Sequence, residues 1–217
     1  MDLVNCHFVV LNQIFKNKYT ILNDYVNNRE KYFGLLCDHY KKLGKDIDYK
    51  TIEGREICKG YFIKVLLYSG HHPSWEKINK LGTVEEDGGH EFFTPFPVPD
   101  FFKEFREELS EISSILIKEN PTFARETEEE KKEKKERENP NGSIISWFCQ
   151  EWERRILEII YDVLKKDKLI KKDNVVFCFD GLMILLTDLF DTEEKQEVIL
   201  SKCEAEIYNK LNLTVKL

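Results

Sequence analysis

The sequence predicts a helix-rich α+β fold in which long helices pack a small antiparallel sheet, and three observations carry that expectation. Apolar residues recur at the i, i+3, i+4 spacing of one helix face, as in Phe102, Phe105, Leu109, Ile112 and Leu116. Near the C-terminal end, NVVFCFDGLMILL is two short β-prone runs broken by Asp180-Gly181, a hairpin signature. Bulky side chains fill a core despite a modest 41% hydrophobic fraction and 34% charged residues: the 217 residues include 15 Phe, 9 Tyr and 3 Trp.

The first segment, MDLVNCHFVVLNQIF, is apolar from its start, with Asp2 beside Leu3 and Val4 in an expected short strand. So structured a beginning suggests a chain truncated relative to its relatives. A helix is expected from His7 to about Lys16, and one continuous helix from about Thr20 to Leu43. A third helix should run from Thr51 to Ser69 and stop at Gly70, followed by a short one around Trp75 and Ile78. Thr83 to Pro99, with two glycines and three prolines, reads as a loop with at most a short extended piece.

Asp100 is placed to cap a helix over Phe101 to Lys118. Arg125 to Glu138 is almost wholly Glu, Lys and Arg in balanced numbers, the composition of a solvated helix or a mobile linker. Ser143 is expected to cap a long helix to about Lys166, carrying Trp147, Phe148, Trp152, Ile156 and Ile160. After the Asp180 hairpin come a helix from Glu193 to Lys210 and a terminal strand over Leu213 to Lys216. No internal repeat is visible.

The net charge of −7 argues against coating nucleic acid by bulk electrostatics, though it leaves room for a local basic groove or a cation-binding site. The six cysteines are scattered with no C-x-x-C pair, which disfavours a zinc site or a disulfide framework and fits a reducing, intracellular compartment. No stretch approaches the ~20 apolar residues of a membrane span, and the start lacks the layout of a signal peptide, so a soluble protein is expected.

Chemistry enters through a few side chains. An Asp-Gly pair between apolar runs is first a turn solution. An acid at a hairpin tip that faces a second carboxylate can also hold two divalent metals, and Asp2 is the candidate partner of Asp180. In GREICKGYFIKVLLYSG, Arg55 and Lys59 lie four apart on one helical face, a fork and a point charge suited to phosphate oxygens. Tyr68 follows about two and a half α-helical turns later, where a ring could stack on a base. The same residues also suit an ordinary amphipathic helix with its charges in water. His39, His71, His72 and His90 lack metal-ligand spacing and are read as structural or solvated.

The order DLVNCH, R-x3-K with FIKVLLYSG, NGSIISWFCQEWERRIL and VVFCFDGLMI resembles family A DNA polymerases over nearly the whole chain. It is closest to the divergent palm domains of virophages, transpovirons and giant-virus-related elements, often fused to superfamily 3 helicases. The resemblance implies a single palm-like domain over 1–217. Within it, 17–82 would be fingers-like, 83–142 a loop, a helix and a charged linker, and 143–217 the palm helix, hairpin, last helix and terminal strand.

It further implies that Asp2 and Asp180 bind two Mg²⁺ ions and that Arg55 and Lys59 neutralise the triphosphate of a dNTP. Tyr68 and His7 would lie near the nucleotide, and Gln150 near a DNA primer-template. His7 stands five residues after the first Asp, where cellular enzymes carry a Glu, and Gly181 stands where an acid commonly follows the last Asp. Template-directed nucleotidyl transfer is the leading expectation. Two others stay open: a decayed palm that binds DNA or a replication protein such as a helicase, and an interaction protein with no nucleotide role.

Overall fold

A computed structural model describes residues 5–217 apart from 71, 73, 79, 81, 88–89, 96–98, 123, 127–128, 130–138, 172–173, 178–180 and 186–191. The fold is helix-rich α+β, with two small antiparallel sheets of two strands each among the described residues. The helices are α1 (Cys6–Ile14), α2 (Thr20–Asn27), α3 (Arg29–Lys42), α4 (Ile52–Gly60), α5 (Trp75–Ile78), α6 (Asp100–Glu119), α7 (Pro140–Lys166) and α8 (Glu193–Leu211). Strands β1 (Gly82–Asp87) and β2 (His90–Pro95) form one sheet, β3 (Val175–Phe177) and β4 (Leu182–Ile184) the other. The chain divides into two compact units, one of residues 1–18 with 148–217 and one of residues 19–147.

In the unit of residues 19–147 the core is aromatic. Phe62 is fully buried, with ring centroids 4.7 Å from Tyr25, 5.7 Å from Phe33 and 6.0 Å from Phe102. These rings come from α2, α3 and α6, so one side chain touches three helices. Phe62 itself lies on a π-helical segment, Tyr61–Tyr68, that continues directly from α4. The single regular helix expected from Thr51 to Ser69 therefore changes hydrogen-bonding pattern after Gly60. A π turn is a poor local solution, and what compensates here is burial of Tyr61, Phe62, Val65, Leu66 and Leu67.

The helix expected over Thr20 to Leu43 is two helices, broken at Asn28. The Asp24 carboxylate gathers the joint, accepting from Asn28 Nδ2 at 2.6 Å, Lys31 Nζ at 2.8 Å and Tyr32 Oη at 2.8 Å. All three donors are side chains, so the carboxylate ties α2 to α3 across the break without taking any backbone hydrogen bond. The start of α2 has no side-chain cap of its own. Its orphan donors, Ile21 N–H and Leu22 N–H, are met by Glu108 of α6 at 3.0 and 2.9 Å.

Three further expectations are corrected. Residues 83–99 do not form a simple loop: β1 and β2 pair over six positions, from Gly82↔Pro95 to Asp87↔His90. Asp-Gly-Gly-His was the missed hairpin signal, outweighed by the prolines that follow. Asp100 does not cap α6; Pro99 is the N-cap residue, and Asp100 is a first-turn acid paired with Lys103. Ser143 does not cap α7, which starts at Pro140; Asn139 Oδ1 accepts from Gly142 N–H at 3.0 Å. Proline in the first helical position behind a capping Asn explains the earlier start. The charged stretch up to Glu138 lies largely outside the described residues.

Asn139 Nδ2 also donates to the Tyr68 carbonyl, and a Cβ on Gly142 would sit 2.0 Å from that same oxygen. Glycine at 142 is thus required by close approach of backbone to backbone. Gly70, expected as a helix stop, is close-packed for the same reason, its missing Cβ position being 2.4 Å from Leu66 O. Arg106 donates to the Gly70 carbonyl while its guanidinium lies 5.0 Å from the Trp75 ring, which anchors α5.

The other unit has an aliphatic core. Cys6 and Val10 of α1, Ile156, Ile160 and Leu164 of α7, Leu182 of β4, and Cys203 and Ile207 of α8 share one cluster with Leu213 and Val215. Strands β3 and β4 pair from Val175↔Ile184 to Phe177↔Leu182, so the hairpin expected around Asp180 is present. Thr192 caps α8 through Oγ1, which accepts from Lys195 N–H.

The terminal strand is not formed. Leu213 and Val215 point into the core, while the Gln13 side chain pairs with Thr214 in both directions, Thr214 N–H to Oε1 at 2.7 Å and Nε2–H to Thr214 O at 2.6 Å. One amide side chain takes the place of a neighbouring strand. The strand expected around Asp2 lies outside the described residues.

Truncating the central ring tests the packing. Phe62→Ala should lower stability by about 3–5 kcal/mol in urea unfolding, because the surrounding rings cannot collapse into the space.

Candidate functional site

Arg55 and Lys59 are one turn apart on α4, both half-exposed, as the i, i+4 spacing requires. The helix is fixed at its start by Thr51, whose Oγ1 accepts from Gly54 N–H at 3.0 Å. Each cation already holds a carboxylate. Arg55 is bidentate to Glu30 of α3, with Nη1–Oε2 at 3.0 Å and Nη2–Oε1 at 2.6 Å, and its guanidinium lies 5.6 Å from the Phe33 ring. Lys59 Nζ donates to Glu56 Oε1 at 2.7 Å.

The Arg55 hydrogen bonds hold the Glu30 carboxyl below its ordinary range, and Glu30 in turn raises the Arg55 guanidinium. The fork that Glu30 fills is the one a phosphate would use, since both present a pair of oxygens at the spacing of two guanidinium N–H groups.

Tyr68 ends the π segment and is half-buried, its backbone held by Asn139. It does not stand two and a half helical turns beyond Lys59. Eight of the nine intervening steps are π-helical, and i→i+5 bonding makes fewer turns over the same residues. His72 Nδ1 accepts from Ser74 N–H at 3.1 Å in the turn before α5.

In the unit of residues 1–18 with 148–217, His7 Nε2 lies 2.8 Å from Glu153 Oε1, with side chains only 14% and 10% exposed. Glu153 is the partner that sequence reasoning missed. Its signal was a lone acid among the apolar positions Trp152, Ile156 and Leu157 of a predicted helix. Gln150 is exposed on α7. Glu30 was missed because it lies 25 residues before Arg55, beyond any local spacing rule.

Asp2 and Asp180 lie outside the described residues. The elements beside them are described, and they share a core: Cys6 and Val10 of α1 pack in the same cluster as Leu182 of β4. Two carboxylates are hard oxygen donors of the kind Mg²⁺ selects. Among the described residues no group of three or more His, Cys, Asp and Glu is arranged to hold a metal ion. Among them, too, no helix is long and apolar enough to cross a membrane.

The Glu30–Arg55 pair makes a pH prediction. Because the folded carboxyl titrates below its unfolded value, the pair stabilises at neutral pH and the contribution is lost as pH falls through the lowered value. Followed by NMR, the Glu30 midpoint should rise toward that of an ordinary glutamate in Arg55→Ala, because the hydrogen bonds that lower it are gone. Compared with protein-family models, curated proteins and solved structures, the chain matches none of them.

Proposed function

We propose that this chain is the palm-centred part of a family A-like DNA polymerase, transferring a nucleotide from a dNTP to a primer 3′-end on a DNA template. The observation that carries the reading is the common core of α1 and β4, the elements beside Asp2 and Asp180. Asp180 is two residues from Leu182, no more than about 7 Å of extended chain. Asp2 is four residues from Cys6, about 14 Å at full stretch.

In this reading Asp2 and Asp180 hold Mg²⁺, which when bound lowers the pKa of the primer hydroxyl and stabilises the leaving pyrophosphate. Arg55 releases Glu30 to grip a phosphate in the same bidentate geometry, and Lys59 exchanges Glu56 for a second phosphate oxygen. Tyr68 and His7 are the candidates for contact with the nucleotide, and Gln150 for contact with the primer-template. A superfamily 3 helicase belongs to the same proposal as a partner.

One observation favours a second reading. With Arg55 clamped to Glu30 and set against Phe33, and Lys59 paired with Glu56, both cations have structural work without a nucleotide. A palm that binds a primer-template but no longer extends it accounts for that.

Primer extension with dNTPs and Mg²⁺ decides between them. The polymerase reading expects extension that Asp180→Asn reduces by several orders of magnitude with an unchanged melting curve. Binding of a primer-template with no extension at any Mg²⁺ concentration selects the second reading. Extension by Asp180→Asn equal to the parent's removes the metal assignment.

A further inference from the structure

Helices α3 and α4 bring two thiols into contact. Cys37 Sγ and Cys58 Sγ are 3.8 Å apart, although 21 positions separate them in sequence and no C-x-x-C spacing announces them. Cys37 is partly exposed and Cys58 is completely buried. A disulfide requires about 2.05 Å, so the sulfurs need to close by roughly 1.8 Å.

We propose that Cys37 and Cys58 form an oxidation site, closed into a reversible disulfide by a two-electron oxidant of the peroxide class. The difference in exposure assigns the order of events. Peroxide reaches Cys37 first. The deprotonated Cys37 sulfur attacks one peroxide oxygen, the O–O bond breaks, and Cys37 becomes a sulfenic acid while the departing hydroxide takes a proton to become water.

The Cys58 sulfur then attacks the Cys37 sulfur. The S–O bond breaks, the S–S bond forms, and the Cys58 proton leaves with the hydroxide as a second water. Two thiols lose two electrons and two protons, and one hydrogen peroxide is reduced to two waters. Cys58 suits only the second step: burial foremost, and Cys37 beside it, push its thiol up to about 12, far from a thiolate that would attack peroxide in solution.

The bond would join α3 to α4 at Cys58, next to Lys59 and three residues after Arg55. Oxidation therefore fixes the helix that carries both cations, whether or not they meet a nucleotide. The site does not depend on the polymerase reading.

The test uses the full chain, reduced and then exposed to a few equivalents of hydrogen peroxide. Remaining thiols are alkylated under denaturing conditions and the protein is mapped without reductant by mass spectrometry. The expected result is a Cys37–Cys58 linked peptide lighter by two hydrogens, lost on treatment with dithiothreitol. The melting temperature of the oxidised protein should rise by roughly 5 °C. Cys37→Ser, at a partly exposed position that tolerates the change, should leave Cys58 alkylatable after the same treatment.

Two results would overturn the proposal. One is Cys37 driven to sulfinic acid with Cys58 still a free thiol. The other is linkage confined to Cys6, Cys149, Cys178 or Cys203.

Discussion

The unit of residues 19–147 depends on the burial of Phe62 among rings from three helices. Aromatic pairs at 4.7 to 6.0 Å combine large buried area with edge and offset geometries that tolerate little rearrangement. Holding that ring in place is what makes a π segment tolerable in the middle of an otherwise regular helix. The α-helical turns before it carry Arg55 and Lys59, and the residue that ends it, Tyr68, is fixed by Asn139 and by the absent side chain of Gly142. The candidate phosphate-facing residues therefore sit on an element whose phase is set by the core, which is how a functional side chain gains a defined direction.

The electrostatics of α4 follow a simple rule. Its two cations stand in a chain of net charge −7 and have each found an acid, Glu30 from another helix and Glu56 from their own. Pairs this exposed contribute little to stability, within about 1 kcal/mol. Their consequence is occupancy: any anion that binds here competes with a resident carboxylate, and so gains less than the bare charges suggest. Binding of that kind should also weaken with salt, since both the pairs and the ligand are screened.

Much of the architecture was legible because it is written in local periodicity and caps. The apolar stripe from Phe102 to Leu116 delivered α6, and the paired β-prone runs around Asp180 delivered the β3–β4 hairpin. One group of errors came from partners distant in sequence: Gln13 supplied the hydrogen bonds that Thr214 would have sought in a sheet. The pairing of Arg55 with Glu30 and of Cys37 with Cys58 was invisible for the same reason, since neither lies within helical reach in sequence. His7 was legible as a candidate, but its partner Glu153 is more than a hundred positions away.

The Gln13–Thr214 clasp spans 201 positions, and the residues it joins belong to one core interrupted by everything from 19 to 147. During synthesis α1 leaves the ribosome long before α7, β4 or α8 exists to cover Cys6 and Val10. At about 5–20 residues per second, the apolar side of that first helix stays uncovered for roughly 10 s or more. The inserted unit, whose contacts are complete once α7 begins, has time to fold first. A core assembled this way leaves α1 a client of whatever shields nascent apolar surface until α7, β4 and α8 have been made.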